Sequence, residues 1–171
     1  RPAQLRHAFK SHAEKALPDD EFARIQDEAI RDVVKLQEGC GLQVVTDGEF
    51  RRISYWARFV ERTGGLTVKE AAFRFRDEHG HESDFTAPHV VGKVKRGGDI
   101  TLDEFRFVKG LTQATPKVTM PAPSTMHFWR GANYADPGIY ADSRQFIVDL
   151  GRVYQEEIAA LEQAGCRYVQ I

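Results

Sequence analysis

Three times along the chain, a stretch with helical apolar spacing passes through a break into a short β-type run. In the first unit Pro18-Asp19-Asp20-Glu21 supplies a helix start, with negative charge for the first turn. Phe22, Ile25, Ala29, Val33 and Leu36 then recur at helical spacing, and Ile30 and Val34 widen the stripe. Gly39 and Gly41 end that helix, and Leu42-Gln43-Val44-Val45-Thr46 reads as a strand broken by Asp47-Gly48. In the second unit Thr101-Leu102-Asp103-Glu104 has the capping-box pattern of a helix expected to run to about Ala114. The strand Pro116–Met120 follows, stopped by Pro121-Ala122-Pro123. In the third, Asp142 caps a long helix carrying Phe146, Ile147, Leu150, Val153, Ile158 and Leu161. Gly165 closes it, and Cys166 to Ile171 is the last strand. Alternation of this kind implies right-handed crossovers and a parallel sheet, the α/β class. Open doubly wound sheets and (β/α)8 barrels both satisfy it, and these strands alone cannot close a barrel.

The middle of the chain follows another rule. Arg51 to Gly65 reads as a short helix and a loop. Phe73-Arg74-Phe75-Arg76 alternates with period two, Asp77 to Asp84 is a polar turn, and His89 to Val94 is a second strand. Together they form a hairpin-like insertion around residues 70–95.

The totals exclude several function classes. With 24 basic against 25 acidic residues, a net charge of -1 gives no electrostatic case for nucleic acid or an anionic membrane. No apolar run approaches membrane-spanning length, and the N-terminal residues do not read as a signal peptide. Cys40 and Cys166 form no CxxC and fit a reducing cytoplasm, as small buried apolar residues at helix-to-strand junctions. The chain opens on Arg1-Pro2 without Met and closes on β-type sequence, so residues 1–171 read as a single-domain piece of a longer protein.

In parallel α/β proteins, active residues gather at the C-terminal ends of strands. The first such segment is Asp47-Gly48-Glu49-Phe50-Arg51-Arg52. Gly48 permits a sharp turn, the carboxylates of Asp47 and Glu49 can hold an ammonium group, and an arginine such as Arg52 can clamp a carboxylate or phosphate. The plainer reading is a surface turn with a salt bridge. The second segment is Ala122-Pro123-Ser124-Thr125-Met126-His127-Phe128-Trp129. Trp129 can stack on a flat heterocycle or serve as an aromatic lid over the core. His127 can act as acid or base, although a histidine without a visible partner more often has no catalytic role. Ser124 is a polar candidate for substrate contact in the same loop. His79, His81 and Glu82 resemble a metal cluster but lack ligand spacing, so a solvated loop is preferred. Lys93-Val94-Lys95-Arg96 reads as a solvated strand end, and Gly97-Gly98 matches no phosphate-binding pattern.

Taken in order, Val44-Val45-Thr46-Asp47-Gly48-Glu49-Phe50-Arg51-Arg52, Pro88-His89-Val90-Val91-Gly92, Ala122 to Trp129 and Val169-Gln170-Ile171 resemble the catalytic barrel of cobalamin-independent methionine synthases, most closely its short single-barrel relatives. Each motif is short, and the specificity lies in their succession over nearly the whole chain. The resemblance implies a parallel (β/α)8 TIM-type barrel, of which this chain is roughly the N-terminal half. It implies a cytoplasmic, zinc-dependent methyltransferase of methionine biosynthesis that moves a methyl group, typically from a methylated folate, to the thiol of homocysteine. Glu49 matches the glutamate that holds the amino group of homocysteine, and Trp129 a tryptophan that contacts the folate. The zinc ligands of the family, a set of His, Cys and Glu, are expected beyond Ile171, so no residue here is assigned to the metal. Full-length enzymes carry an Arg-Cys pair where this chain has Ser83-Asp84, which bears on the methyl donor. The rival readings are a related barrel with another methyl donor or uroporphyrinogen-decarboxylase-like chemistry, and a catalytically silent paralogue. A downstream His-x-Cys and a later Cys would separate the first rival from the leading one.

Overall fold

The computed structural model describes residues 1–171 apart from Phe73, Asp77, His81 and Asp84. The three expected units are present. Helix α1 (Ala3–Ala13) leads into α2 (Asp19–Gly39) and strand β1 (Val44–Val45). Helix α4 (Leu102–Lys109) precedes β6 (Thr115–Thr119), and α6 (Ser143–Gln163) precedes β7 (Tyr168–Gln170). The strands form one parallel sheet in the order β1-β6-β7, so sequence neighbours are spatial neighbours. This is the parallel α/β arrangement that the alternation implied.

Between the first two units lie helix α3 (Ala57–Arg62) and an antiparallel hairpin of β2 (Thr63–Glu70) and β5 (Thr86–Arg96). Near its tip β3 (Phe75–Arg76) pairs with β4 (Glu82–Ser83). The insertion is therefore longer than the sequence suggested, and its first strand begins at Thr63, within the stretch read as loop. Gly64-Gly65 hid that strand, because glycines break the side-chain alternation that marks one. They are needed there because the register shifts between Gly64 and Leu66. Gly65 has φ +85°, and a Cβ at this position would lie 2.6 Å from the Lys93 carbonyl oxygen and 2.7 Å from that of Gly92. Gly65→Ala is accordingly expected to destabilise the protein by about 1–3 kcal/mol, read as a lower urea midpoint at unchanged slope. The alternating run from Phe73 to Arg76 and the polar turn from Asp77 to Asp84 fall partly outside the described residues.

The main core forms where α6 packs over β5 and α4, with Phe146, Leu150 and Leu161 fully buried in one cluster with Val90, Phe105 and Val118. A second cluster joins Leu5, Ile30, Val34 and Val45 to Phe50 and Val108. Ile147 and Ile158 of α6 are partly exposed on the other side of the helix. Cys166 is buried as expected, but Cys40 is exposed. It follows the last turn of α2, where Leu36 and Leu42 also stand clear of the core.

Helix α4 stops at Lys109, short of the expected Ala114, and its N-terminus is capped in an unexpected way. Thr101 makes no side-chain cap. Instead Glu157 of α6, with no exposed surface, accepts hydrogen bonds from Ile100 N (3.1 Å), Thr101 N (2.6 Å) and Thr101 Oγ1 (2.9 Å). Arg96 meets the same carboxylate through Nε at 2.9 Å and Nη2 at 2.8 Å. A remote carboxylate thus does what the local capping box was expected to do, and Glu104 is released for another role. On the outer edge of β5, Val90 N donates to Tyr134 O and Asp136 N to Val90 O. His89 Nε2 and Lys69 Nζ both meet Asp136 Oδ1, at 2.8 and 2.9 Å, and pin this loop to the hairpin. Among the described residues no helix is long and apolar enough to cross a membrane.

Candidate active site

The turn after β1 is built by its own side chains. Gln37 of α2 bonds both backbone groups of Thr46, donating Nε2–H to its oxygen (2.9 Å) and accepting from its nitrogen (3.0 Å). Thr46 Oγ1 then accepts from Gly48 N (3.1 Å), and Asp47 Oδ1 from Glu49 N (2.9 Å). These short side-chain bonds are the reason that Thr, Asp and Gly suit such a turn. Gly48 has φ +67° and Glu49 φ +56°. A glutamate in the left-handed region costs about 1–2 kcal/mol and persists only where its surroundings over-determine it.

Those surroundings are a buried network. Glu49 Oε1 accepts from Thr119 Oγ1 (2.7 Å), at the end of β6, and from Arg52 Nη1 (3.3 Å). Arg52 Nη1 also donates to Thr119 Oγ1 (3.1 Å), so the hydroxyl receives from arginine and gives to glutamate. The other edge of the guanidinium meets Glu104 of α4, with Nη2 to Oε2 at 2.7 Å and Nε to Oε2 at 3.2 Å. Arg52, Glu104 and Asp47 are buried, whereas the Glu49 side chain is one-third exposed at 33%. Asp47 Oδ2 is buried and has no hydrogen-bond partner among the described residues. Asp47 lines a cavity of about 10 Å³ together with Arg52, Glu104 and Thr119, the scale of one water molecule.

Three carboxylates face one guanidinium, so the cluster is net acidic. Burial draws the Arg52 pKa down, but the charge and hydrogen bonds of Glu104, helped by Asp47 and Glu49, outweigh it and hold the group above its ordinary value. Burial lifts the Glu104 carboxyl above the usual range by more than Arg52 pulls it back.

Of the residues singled out from sequence, Asp47, Glu49 and Arg52 come together here. Ser124, His127 and Trp129 form a second group on and around the one-turn helix α5 (Thr125–Phe128), which the sequence suggested was loop. Ser124 is exposed, and its carbonyl accepts from His127 N and Phe128 N. The His127 ring is half-buried edge-on to Tyr134 and Phe146, at 6.0 and 6.4 Å between centroids. Trp129 packs on Phe85 at 4.9 Å and accepts from Ala72 N, which joins it to the hairpin. No hydrogen bond or ring contact among those described links this second group to Glu49. Glu104 and Thr119 escaped the sequence reading: the first resembled a capping acid and the second an ordinary strand residue. Among the described residues no three His, Cys, Asp or Glu side chains are arranged to hold a metal. His81 and the side chain of Glu82, two members of the His79-His81-Glu82 cluster, lie outside the description.

Comparison with known proteins gives a consistent result. The family model described as cobalamin-independent synthase, catalytic domain, matches residues 2–171. An uncharacterized protein, YxjH, of Bacillus subtilis is 30% identical over 100% of this chain and 45% of its own length. A methionine synthase of Sulfolobus acidocaldarius is 29% identical over 100% of this chain and 48% of its own. The chain thus spans about half the length of these relatives. The structure of a B12-independent methionine synthase from Shewanella sp. W3-18-1, in complex with selenomethionine, superposes with a TM-score of 0.71 at 25% identity, covering 91% of this chain and 43% of that one.

Proposed function

Because the chain belongs to the cobalamin-independent synthase catalytic-domain family, we propose that it takes part in transferring a methyl group to the thiol of homocysteine, giving methionine. Residues 47–52 would supply the grip on the amino group of the substrate. The observation that carries this reading is Glu49. Its carboxylate lies at a strand's C-terminal end, partly exposed, inside a cluster with an excess of negative charge. An ammonium group entering there meets a preorganised acceptor and an attractive field. Selenomethionine, bound by the Shewanella enzyme, is an amino acid of the product's shape, which suits the same grip.

On this reading the chemistry is an in-line displacement. The thiol gives up its proton, the bond from sulfur to methyl forms as the bond from methyl to the donor nitrogen breaks, and the donor nitrogen takes up a proton, so that one proton passes overall from sulfur to nitrogen. Anchoring the ammonium fixes where the sulfur points, so the contribution of this chain is alignment. Trp129, with Ser124 and His127 beside it, would border the donor, for which a methylated folate is the family's expectation. The Ser83-Asp84 departure bears on that choice, and Asp84 is outside the described residues. Zinc belongs to the same expectation, but the described residues do not form a site for it, and no step here runs through it. We take the architecture to be roughly the N-terminal half of a (β/α)8 barrel, one domain in residues 1–171, which the sequential order β1-β6-β7 supports. A cytoplasmic setting accords with the two free cysteines.

The test is the affinity for L-methionine and L-homocysteine by calorimetry. Glu49→Gln keeps the shape and removes the charge, and it is expected to weaken both amino acids about tenfold or more, the worth of one charge-assisted hydrogen bond. Unchanged affinity would remove the basis of this assignment.

A further inference from the structure

We infer that Thr119, backed by Arg52 and Asp47, is a positioning residue that presents a single oxygen of Glu49 to the substrate. The inference rests on the reading of Glu49 as the amine-binding group and concerns how that group is aimed. Both protein donors to the Glu49 carboxylate converge on Oε1: Thr119 Oγ1 at 2.7 Å and Arg52 Nη1 at 3.3 Å. Among the described residues Oε2 has no hydrogen-bond donor, although the side chain is one-third exposed. Two donors reaching one oxygen from different segments restrain the swing of the carboxylate, and with the backbone held at φ +56° they favour one direction for the other oxygen.

The grip has three supports. Asp47 Oδ1 holds the Glu49 backbone nitrogen at 2.9 Å and keeps the residue at φ +56°. Glu104 occupies the far edge of Arg52 and stops that guanidinium from turning a second fork onto Glu49. Thr119 comes from β6, the neighbouring strand, so the direction of Oε2 depends on the packing of β1 beside β6. Because Arg52 already donates to Thr119 Oγ1, the hydroxyl proton is directed toward Glu49. A substrate ammonium at Oε2 therefore meets a fixed acceptor and loses no affinity to reorganisation.

Thr119 is the residue to test, since its side chain is small and its loss leaves the buried Arg52–Glu104 pair intact. Thr119→Val keeps the shape and removes the hydroxyl, and Thr119→Ser restores it. Binding of L-methionine and of 4-(methylthio)butanoate, which lacks the amine, is measured by calorimetry on the full chain, with thermal unfolding as the check on folding. Thr119→Val is expected to weaken methionine about tenfold and leave the deaminated analogue unchanged, with Thr119→Ser close to wild type. Equal weakening of both ligands would reduce Thr119 to a structural role and overturn the inference. Unchanged methionine binding in Thr119→Val, alongside weakened binding in Glu49→Gln, would also overturn it while leaving Glu49 as the amine site. Unchanged binding in Glu49→Gln would remove the premise and the inference together.

Discussion

Glu104→Ala is expected to destabilise the protein by about 3–5 kcal/mol, seen as a large drop in the urea midpoint. The loss does not mean that the Arg52–Glu104 pair contributes so much. Both side chains are almost fully buried, at 3% and 4% exposure, and their desolvation offsets most of their attraction. Removing one partner leaves a guanidinium that cannot give up its proton among groups that cannot rehydrate it. Glu104→Gln retains an acceptor of the same shape and should cost less. The pair also has a signature in pH. Since burial raises the Glu104 pKa in the folded state, the stability contributed by its protonation is fully present below the ordinary carboxyl value. It is lost as pH rises through the folded value. The pH dependence of stability in Glu104→Gln should lack that component. An identical profile in both proteins would show that Glu104 titrates as it does in the unfolded chain.

Phe146→Ala is expected to cost about 3–5 kcal/mol, through the cavity it leaves. The ring is fully buried, and three aromatic neighbours surround it: Tyr134 at 5.1 Å, Tyr140 at 5.5 Å and His127 at 6.4 Å. These come from separate segments that cannot collapse together into the space. Val148→Ala, two residues away on an exposed part of the same helix, should change stability by about 0.5 kcal/mol or less. Comparable losses in the two variants would contradict the packing described. Since His127 leans on Phe146, the same variant should loosen the α5 segment and raise the amide exchange of its residues.

The helix-to-strand units were legible because each helix lays an apolar stripe on a short apolar strand, and that periodicity survives without tertiary information. The turn at Asp47-Gly48-Glu49 was legible because its geometry is local: Thr46, Asp47 and Gly48 bond within a few residues. What could not be read were partnerships across long sequence separations. Glu104 looks like a first-turn acid until Glu157, 53 positions later in the numbering, takes over the cap. Nothing in Thr119 announces that its hydroxyl meets a glutamate from another strand. Nor does the sequence show that all three nitrogens of Arg52 have protein partners. The strand β2 was missed for a different reason: the glycines that let its bulge form also erase its pattern.

Gln37 has a consequence for assembly. Thr115 N donates to Gln43 O, so along β1 the odd-numbered backbone groups turn toward β6 and those of Thr46 turn toward the opposite margin. There the Gln37 amide, a donor and an acceptor side by side, imitates one rung of a neighbouring strand. Any strand that docks along this margin has to stop at that rung, which sets its length and forbids sliding toward Asp47.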